Sequence, residues 1–459
     1  MKIKRFLLRY YPPGIIVEIQ RRSGDVGTRT IDLVDLSASS QVENVVAHVL
    51  AEESRLLSER HKPVLMKLVI RLIDKLNSFR VSEIKYESLI TQSTHILPMT
   101  NCTLNKDGSR FATASYDRTC KVWDSFTGAE KVSLEGIHTN VVYALSFNSP
   151  FSDRIITGSF DKTAVIWNSL TGEPLHHLQG HAGEIVCVAF SPNGRFCATG
   201  SMDNTARIWD AQTGNLIHIA TGHTGEIVSV VFSGDSSKFL AGSFDTCARV
   251  WDVDSGKCLQ VLQGHSGEIS SSLFSFSADL GATGSIDGTC RLWNTNTGEC
   301  VDTLKGHSDE ILDIAFNASG NRIATASSDG SARVFNVLTG ACVAILAGHT
   351  GEVAKISFSP NGALVVTASP DRTCRVWSAQ TGECLQILDG HAGEVFSCHF
   401  SYEADLILTA GKDNTCRVWR RVSTSVRGGN RPRTLSSIDS IAAGFEDAAY
   451  RLRSSDDFS

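Results

Sequence analysis

An aromatic residue returns at a nearly fixed interval along most of this chain, and that period limits what it can fold into. The positions are Trp123, Trp167, Trp209, Trp251, Trp293, Phe335, Trp377 and Trp419. They are spaced 44 residues once and 42 thereafter, and they include every tryptophan present. Six residues before each aromatic stands an Asp: Asp117, Asp161, Asp203, Asp245, Asp287, Asp329, Asp371 and Asp413. A His heads each unit: His95, His138, His181, His223, His265, His307, His349 and His391. The copy from Gly180 to Asp210 reads GHAGEIVCVAFSPNGRFCATGSMDNTARIWD. Its runs IVCVAF and RFCATGS are separated by the turn signal SPNG, the pattern of short half-buried strands. A unit this small cannot bury its own faces, so the copies must stack on one another.

The Gly-His…Trp-Asp signature at this spacing resembles the WD-repeat family. The resemblance implies an all-β fold, an eight-bladed WD-repeat β-propeller with four strands per blade. A buried Trp needs a partner for its indole N–H, and a buried His and Asp must be satisfied too. Two residues before the Asp stand Ser115, Ser159, Ser201, Ser243, Ser285, Ser327 and Ser369, with Gly411 in the last unit. The resemblance implies a hydrogen-bonded chain of Asp, His, Ser and Trp in each unit, represented by His181, Ser201, Asp203 and Trp209. Unit six should lose its Trp end at Phe335, and unit eight its Ser link at Gly411. Ser, His and Asp are also the residue types of a hydrolase triad. Catalysis needs one activated constellation, however, and a set repeated almost unchanged around a ring reads as scaffold. The sequence carries no GxSxG, GxxxxGK[ST] or HExxH, so neither a catalytic residue nor a cofactor is expected.

A net charge of −6 and a pI near 6.2 argue against general nucleic-acid binding, which shows a basic excess. The 13 cysteines include no CxxC pair. Cys120, Cys290, Cys374 and Cys416 share one strand slot and read as small buried hydrophobes of a reducing compartment. No ligand cluster has zinc spacing, so no metal is expected. The opening MKIKRFLLRYYPP starts basic, but Arg9 and Pro12-Pro13 break its apolar run, and it does not read as a signal peptide. No stretch approaches the ~18 apolar residues of a membrane span. The expectation is a soluble, intracellular monomer without membrane insertion.

The repeat is missing from residues 1–80, which read as a small α+β N-terminal domain. Lys2–Tyr11, Ile15–Gln20 and Thr28–Leu33 are candidate strands. A helix is expected over Gln41–Ser54, capped by Ser40 with Glu43, and another over Pro63–Leu76. Their apolar stripes are Val42, Val45, Val46, Val49 and Leu50, then Leu65, Leu68, Val69, Leu72 and Leu76. Both read as core, with a partner-binding face as the other reading. Residues 1–30 carry seven Lys/Arg against two acids, a basic patch or a solvated face. The propeller is expected over 81–420, with 83–92 supplying the strand that completes the last blade and removes an exposed edge. Residues 421–459 are rich in Ser, Arg, Gly and Pro and read as a disordered tail. Ile438, Ile441, Phe445, Ala449 and Leu452 recur there at helical spacing, as in a short amphipathic helix.

Two loop positions are patterned. Three residues after the His stand Glu184, Glu226, Glu268, Glu310, Glu352 and Glu394, whereas units one and two have Pro98 and Val141. Just before the Asp stand Tyr116, Phe160, Met202, Phe244 and Ile286, then Ser328, Pro370 and Lys412. WD-repeat families place both slots at the top surface, so an apolar run beside an acidic inner ring is expected there. Such contiguous apolar surface binds partners, unless duplication merely copied the Glu and the apolar side chains pack on neighbouring loops.

The opening words MKIKRFLLRYYPPGIIVE, with the GSFDKT and GHxxEI wording of the repeats, resemble the outer-arm dynein assembly factors with WD repeats, over residues 1 to about 420. This resemblance implies a non-enzymatic adaptor that links preassembled outer-arm axonemal dynein to a complex B subunit of the intraflagellar transport machinery. It implies a place in the cytoplasm, the basal-body region and the cilium or flagellum. The alternative is a general WD-repeat interaction scaffold, such as a substrate receptor of a ubiquitin ligase; no F-box-like recruitment helix precedes the repeats.

Overall fold

A computed structural model describes residues 2–20, 26–37, 40–77, 84–92, 95–149 and 151–423. The expected tail helix lies outside them. The chain divides into two compact units. In the first, β1 (Lys2–Arg9), β2 (Gly14–Gln20) and β3 (Val26–Asp32) form an antiparallel meander. Two helices follow, α1 (Val42–Glu52) and α2 (Lys62–Asn77). The alternating residues Phe6, Leu8, Ile15, Val17 and Ile31 meet Val46, Val49, Leu65, Leu68, Val69 and Leu72 in one core, so both helical stripes are covered except at Leu76, which is half-buried. The expected Ser40–Glu43 capping box does not form. Gln41 is the N-cap and its side chain makes no capping bond, accepting instead from the Asn44 amide at 2.9 Å, while the Ser40 hydroxyl is turned back to accept the Ser37 N–H. A turn of 3-10 helix at Glu59–His61 was not anticipated. Three of the seven cations of the basic patch are paired, Arg5 to Glu18, Arg9 to Asp32 and Arg29 to Glu53.

The second unit is a ring of eight four-stranded antiparallel sheets. Blade three shows the pattern: Ile185–Phe190 innermost, then Phe196–Ser201, Ala206–Asp210 and Leu216–Ala220. Each innermost strand touches that of the next blade, and Val395–Phe400 returns to Met99–Leu104 to close the circle. Blade eight takes three strands from its own repeat and its fourth from β4 (Ile84–Gln92), which pairs with Cys416–Ser423. The repeat aromatic holds neighbouring blades together. Trp209 packs with Ile156, Ile166 and Leu178 of blade two, and Trp251 with Phe196, Ala198 and Ile208 of blade three.

The Gly of each Gly-His pair also has a steric cause. A side chain at Gly222 or Gly306, both at positive φ, would press on the guanidinium of Arg249 or Arg333 from the third strand of the same blade. Unit two has neither partner: Ile137 precedes its His, and Val165 takes the Arg slot. Among the described residues no helix is long and apolar enough to cross a membrane.

Candidate functional site

Blade three shows how the repeat residues are joined. The His181 Nδ1 lies 2.8 Å from Asp203 Oδ2, and since a carboxylate only accepts, this nitrogen carries the proton. Nε2 then accepts, and its donor is the hydroxyl of Thr199 at 2.8 Å. The Thr199 oxygen in turn accepts the indole N–H of Trp209 at 3.0 Å. The link between His and Trp is therefore Thr, where Ser201 was expected. Ser201 Oγ accepts the backbone N–H of Asp203 at 3.1 Å instead of linking the two rings. Thr199 is fully buried, so the Thr-His-Asp line is closed to any substrate carbonyl. The bond from His to Thr recurs in seven blades. Phe335 ends the chain in blade six at the Thr325–His307 bond, and Gly411 offers Asp413 no hydroxyl.

Blade four departs from this pattern. Ala241 stands where the Thr should be, and Cys247 takes the slot of Thr205, whose hydroxyl donates to Asp203 at 2.6 Å in blade three. His223 Nε2 is buried and has no hydrogen-bond partner among the described residues. The His223 ring has slid closer to Trp251, 5.6 Å between centroids against 6.4, 6.3 and 6.1 Å in blades two, five and seven. Ala241→Thr should restore both bonds and stabilise the protein by about 1 kcal/mol, read as a higher urea midpoint. An unchanged or lower midpoint would mean that blade four has repacked around the smaller side chain.

The network also sets a pH dependence. His181, His223, His265, His307, His349 and His391 all titrate below the usual 6.5, because burial disfavours the imidazolium more than the Asp favours it. Such a group gives stability that is fully present above the unfolded value and is lost as pH falls toward the folded one. In Asp203, Asp287, Asp329 and Asp371 burial pushes upward. Bonds from the neighbouring hydroxyl, backbone N–H and His outweigh it and hold the carboxyls at about 2. Their contribution is present above 3.8 and fails only in strong acid. Both effects have one direction, so the urea midpoint should be flat at neutral pH and fall from about pH 6.5 downward. A midpoint that stays flat to about pH 5 would contradict neutral imidazoles.

The patterned loop residues sit beside one another within each blade. The backbone N–H groups of Met202, Phe244, Ile286 and Lys412 donate to the carbonyls of Glu184, Glu226, Glu268 and Glu394. Tyr116 and Phe160 make the same bond to Pro98 and Val141. Pro370 has no N–H for Glu352, and there the innermost strand is shortened to Lys355–Phe358. Tyr116, Met202 and Phe244 are exposed, whereas Phe160 and Ile286 are half-buried, so the apolar run is uneven. Glu268, Glu310, Glu352 and Glu394 are exposed; Glu184 and Glu226 are half-buried. Lys412 pairs with Glu394 at 3.1 Å.

Residues outside the repeat pattern complete this surface. A cavity of about 620 Å³ at the channel mouth is lined by Leu97, Pro98, Tyr116, Tyr143, Phe396 and the Glu394–Lys412 pair, among others. Tyr143 stacks on Phe160, 5.1 Å between centroids and 24° between planes. Deeper in the channel, Lys355 is held by Asp313 at 3.1 Å. Burial and that ammonium lower His399 to about 4.

Eight segments match the family model of the WD domain, G-beta repeat: 87–124, 132–168, 172–210, 214–252, 256–294, 298–336, 340–378 and 382–420. The chain belongs to this WD-repeat family. It is similar, further, to curated proteins called Dynein assembly factor with WD repeat domains 1. Those of Mus musculus and Homo sapiens are 50% identical over 192 residues, and that of Danio rerio 46%. In each case the match spans 42% of this chain and 45% of the relative, a little under half the length of either. A crystal structure of the computationally designed Ika8 protein matches with a TM-score of 0.66 and 29% identity, covering 73% of this chain and 99% of that one.

Proposed function

We propose that this chain is a non-enzymatic adaptor in dynein assembly. In this reading it joins preassembled outer-arm axonemal dynein to a complex B subunit of the intraflagellar transport machinery, and so works between the cytoplasm, the basal-body region and the cilium or flagellum. The observation that carries the reading is the 50% identity over 192 residues to curated dynein assembly factors. The fold supports a binding role, since a closed ring holds its loops rigidly and such loops bind partners. The patterned face, with Tyr116, Phe160, Met202, Phe244 and Ile286 beside Glu184, Glu226, Glu268, Glu310, Glu352 and Glu394, is the surface we assign to a partner.

The test is affinity capture from ciliated-cell extract, read by mass spectrometry. Wild-type protein should retain outer-arm dynein and transport-train proteins. Phe160→Ala with Phe244→Ala should weaken capture strongly, because central aromatic anchors carry most interface energy. Glu226→Lys with Glu268→Lys should slow association and change its salt dependence. If the double-Phe variant folds and captures both sets as wild type does, the partner sits elsewhere.

A further inference from the structure

We infer that the channel mouth at blades one and two is a docking site for an acidic linear segment of a partner protein, anchored by an aliphatic or aromatic side chain. The inference deepens the reading above, since it rests on this face binding a partner, and it names the chemistry of that partner.

Three observations converge on this sector. The first is apolar exposure. Ile96 is 85% exposed, Leu97 46%, Tyr116 45% and Tyr143 39%, and the last three line the same 620 Å³ cavity. Singly exposed apolar residues are ordinary, but a contiguous group around a concavity is not. The second is charge. In six blades a Glu carboxylate stands at the inner slot, whereas blades one and two have Pro98 and Val141 there. The residue after the network Asp is Arg118 in blade one and Lys162 in blade two; blades three to six have Asn204, Thr246, Gly288 and Gly330, blade seven has Arg372 beside its inner Glu352, and blade eight has Asn414. Arg118 and Lys162 are exposed and form no ion pair among the described residues. The adjacent carboxylates bond elsewhere, Asp117 to His95 and Asp161 to His138 at 2.8 Å, and every blade carries this Asp, so the turn-tip cation is what distinguishes blades one and two from blades three to six. The third is backbone. Arg118 and Lys162 stand at the tip of a tight turn with φ of 71° and 72°, where Asn or Gly is the unstrained choice. The Arg118 guanidinium donates to the Thr139 carbonyl of the next blade at 3.5 Å, but Asn204 and Asn414 make the same bond from the same turn in blades three and eight, so that contact does not require a long cation. The same face is therefore polarised: blades three to six carry an inner Glu and an uncharged turn tip, blades one and two an apolar inner residue and a cationic tip, and blades seven and eight both signs, Glu352 with Arg372 and Glu394 paired to Lys412 at 3.1 Å. A carboxylate-bearing chain running across blades one and two would place its charges on Arg118 and Lys162 and an apolar side chain between Tyr116 and Tyr143.

The test is selection of random 12-residue peptides displayed on phage against the immobilised full-length protein. The selected peptides should carry net negative charge and at least one large apolar residue. Their affinity should fall about tenfold or more in Tyr116→Ala with Tyr143→Ala. It should also fall, with a flattened salt dependence, in Arg118→Asp with Lys162→Asp, a change the turn tolerates because Asp accepts positive φ. Melting curves identify a variant that has unfolded, and the turn-tip pair serves if the tyrosine pair fails. Selection of basic peptides, no selection at all, or affinity that survives the turn-tip substitutions would each overturn the inference. Peptide selection involves no dynein, so dynein capture by the same variants reports separately on the adaptor reading.

Discussion

Trp209→Ala is expected to cost about 3–5 kcal/mol of folding free energy. The indole is 3% exposed and fills the seam between blades two and three against Ile156, Ile166 and Leu178. Its removal leaves a cavity that backbone on both sides is too constrained to close. The loss also has a polar part, because Thr199 no longer receives the indole N–H. Thr199→Val separates the two contributions. It keeps the volume and deletes only the oxygen, leaving the Trp209 N–H and the His181 Nε2 both buried without a partner. With each of the two orphaned groups costing about 1–3 kcal/mol, this conservative change should destabilise the protein by roughly 2–6 kcal/mol. Urea unfolding of both variants decides the matter. An unchanged midpoint for Trp209→Ala would remove the seam from the forces holding the ring. A neutral Thr199→Val would leave packing alone as its cause.

The blade count, the strand order and the buried status of the network were legible because every blade solves the same packing problem with the same residues. The threonine was readable too. It stands four residues before the Asp in seven units, as Thr113, Thr157, Thr199, Thr283, Thr325, Thr367 and Thr409. It is easily overlooked because a Thr in a strand already has a sufficient explanation in its β-branched shape. The Gly–Arg dependence has the same character. Gly180 and Arg207 lie 27 positions apart, and only the sheet shows that the glycine makes room for the guanidinium. What periodicity cannot give is any feature made by departures from it. The mouth cavity is lined by Leu97, which does not recur, and by Tyr143 and Phe396, which share a slot five residues after the His that is aromatic only in units two and eight; the pairing of Tyr143 with Phe160 joins an innermost strand to a turn of the same blade. The orphaned His223 likewise follows from one missing hydroxyl, visible only when Ala241 is compared with the threonines of its register.

Removal of residues 1–92 is expected to make the protein self-associate, whereas removal of 1–78 should leave it soluble and monomeric. The difference between the two variants is β4. With β4 absent, Cys416–Ser423 becomes an edge whose N–H and C=O groups have lost their partners, the template for pairing with another chain. The replacement of β4 by solvent also breaks a tie between blades. The Gln386 side chain, on the fourth strand of blade seven, accepts the Tyr86 N–H at 2.7 Å and donates to the Tyr86 carbonyl at 2.6 Å. The Tyr86 hydroxyl donates to the Ala404 carbonyl at 2.8 Å, and the ring is 1% exposed against Phe400. Burial raises this phenol well above its usual value, so the donor stays protonated at every pH where the protein folds. Tyr86→Ala in the full chain should therefore weaken closure without removing the strand, at a cost of about 3 kcal/mol. Light scattering on size-exclusion fractions distinguishes the outcomes for the deletions, and urea unfolding reads the point variant. If both deletions run as monomers, the edge is protected by something other than β4. If both aggregate while Tyr86→Ala unfolds at the wild-type midpoint, the first unit is needed for solubility and the strand is not what holds the ring shut.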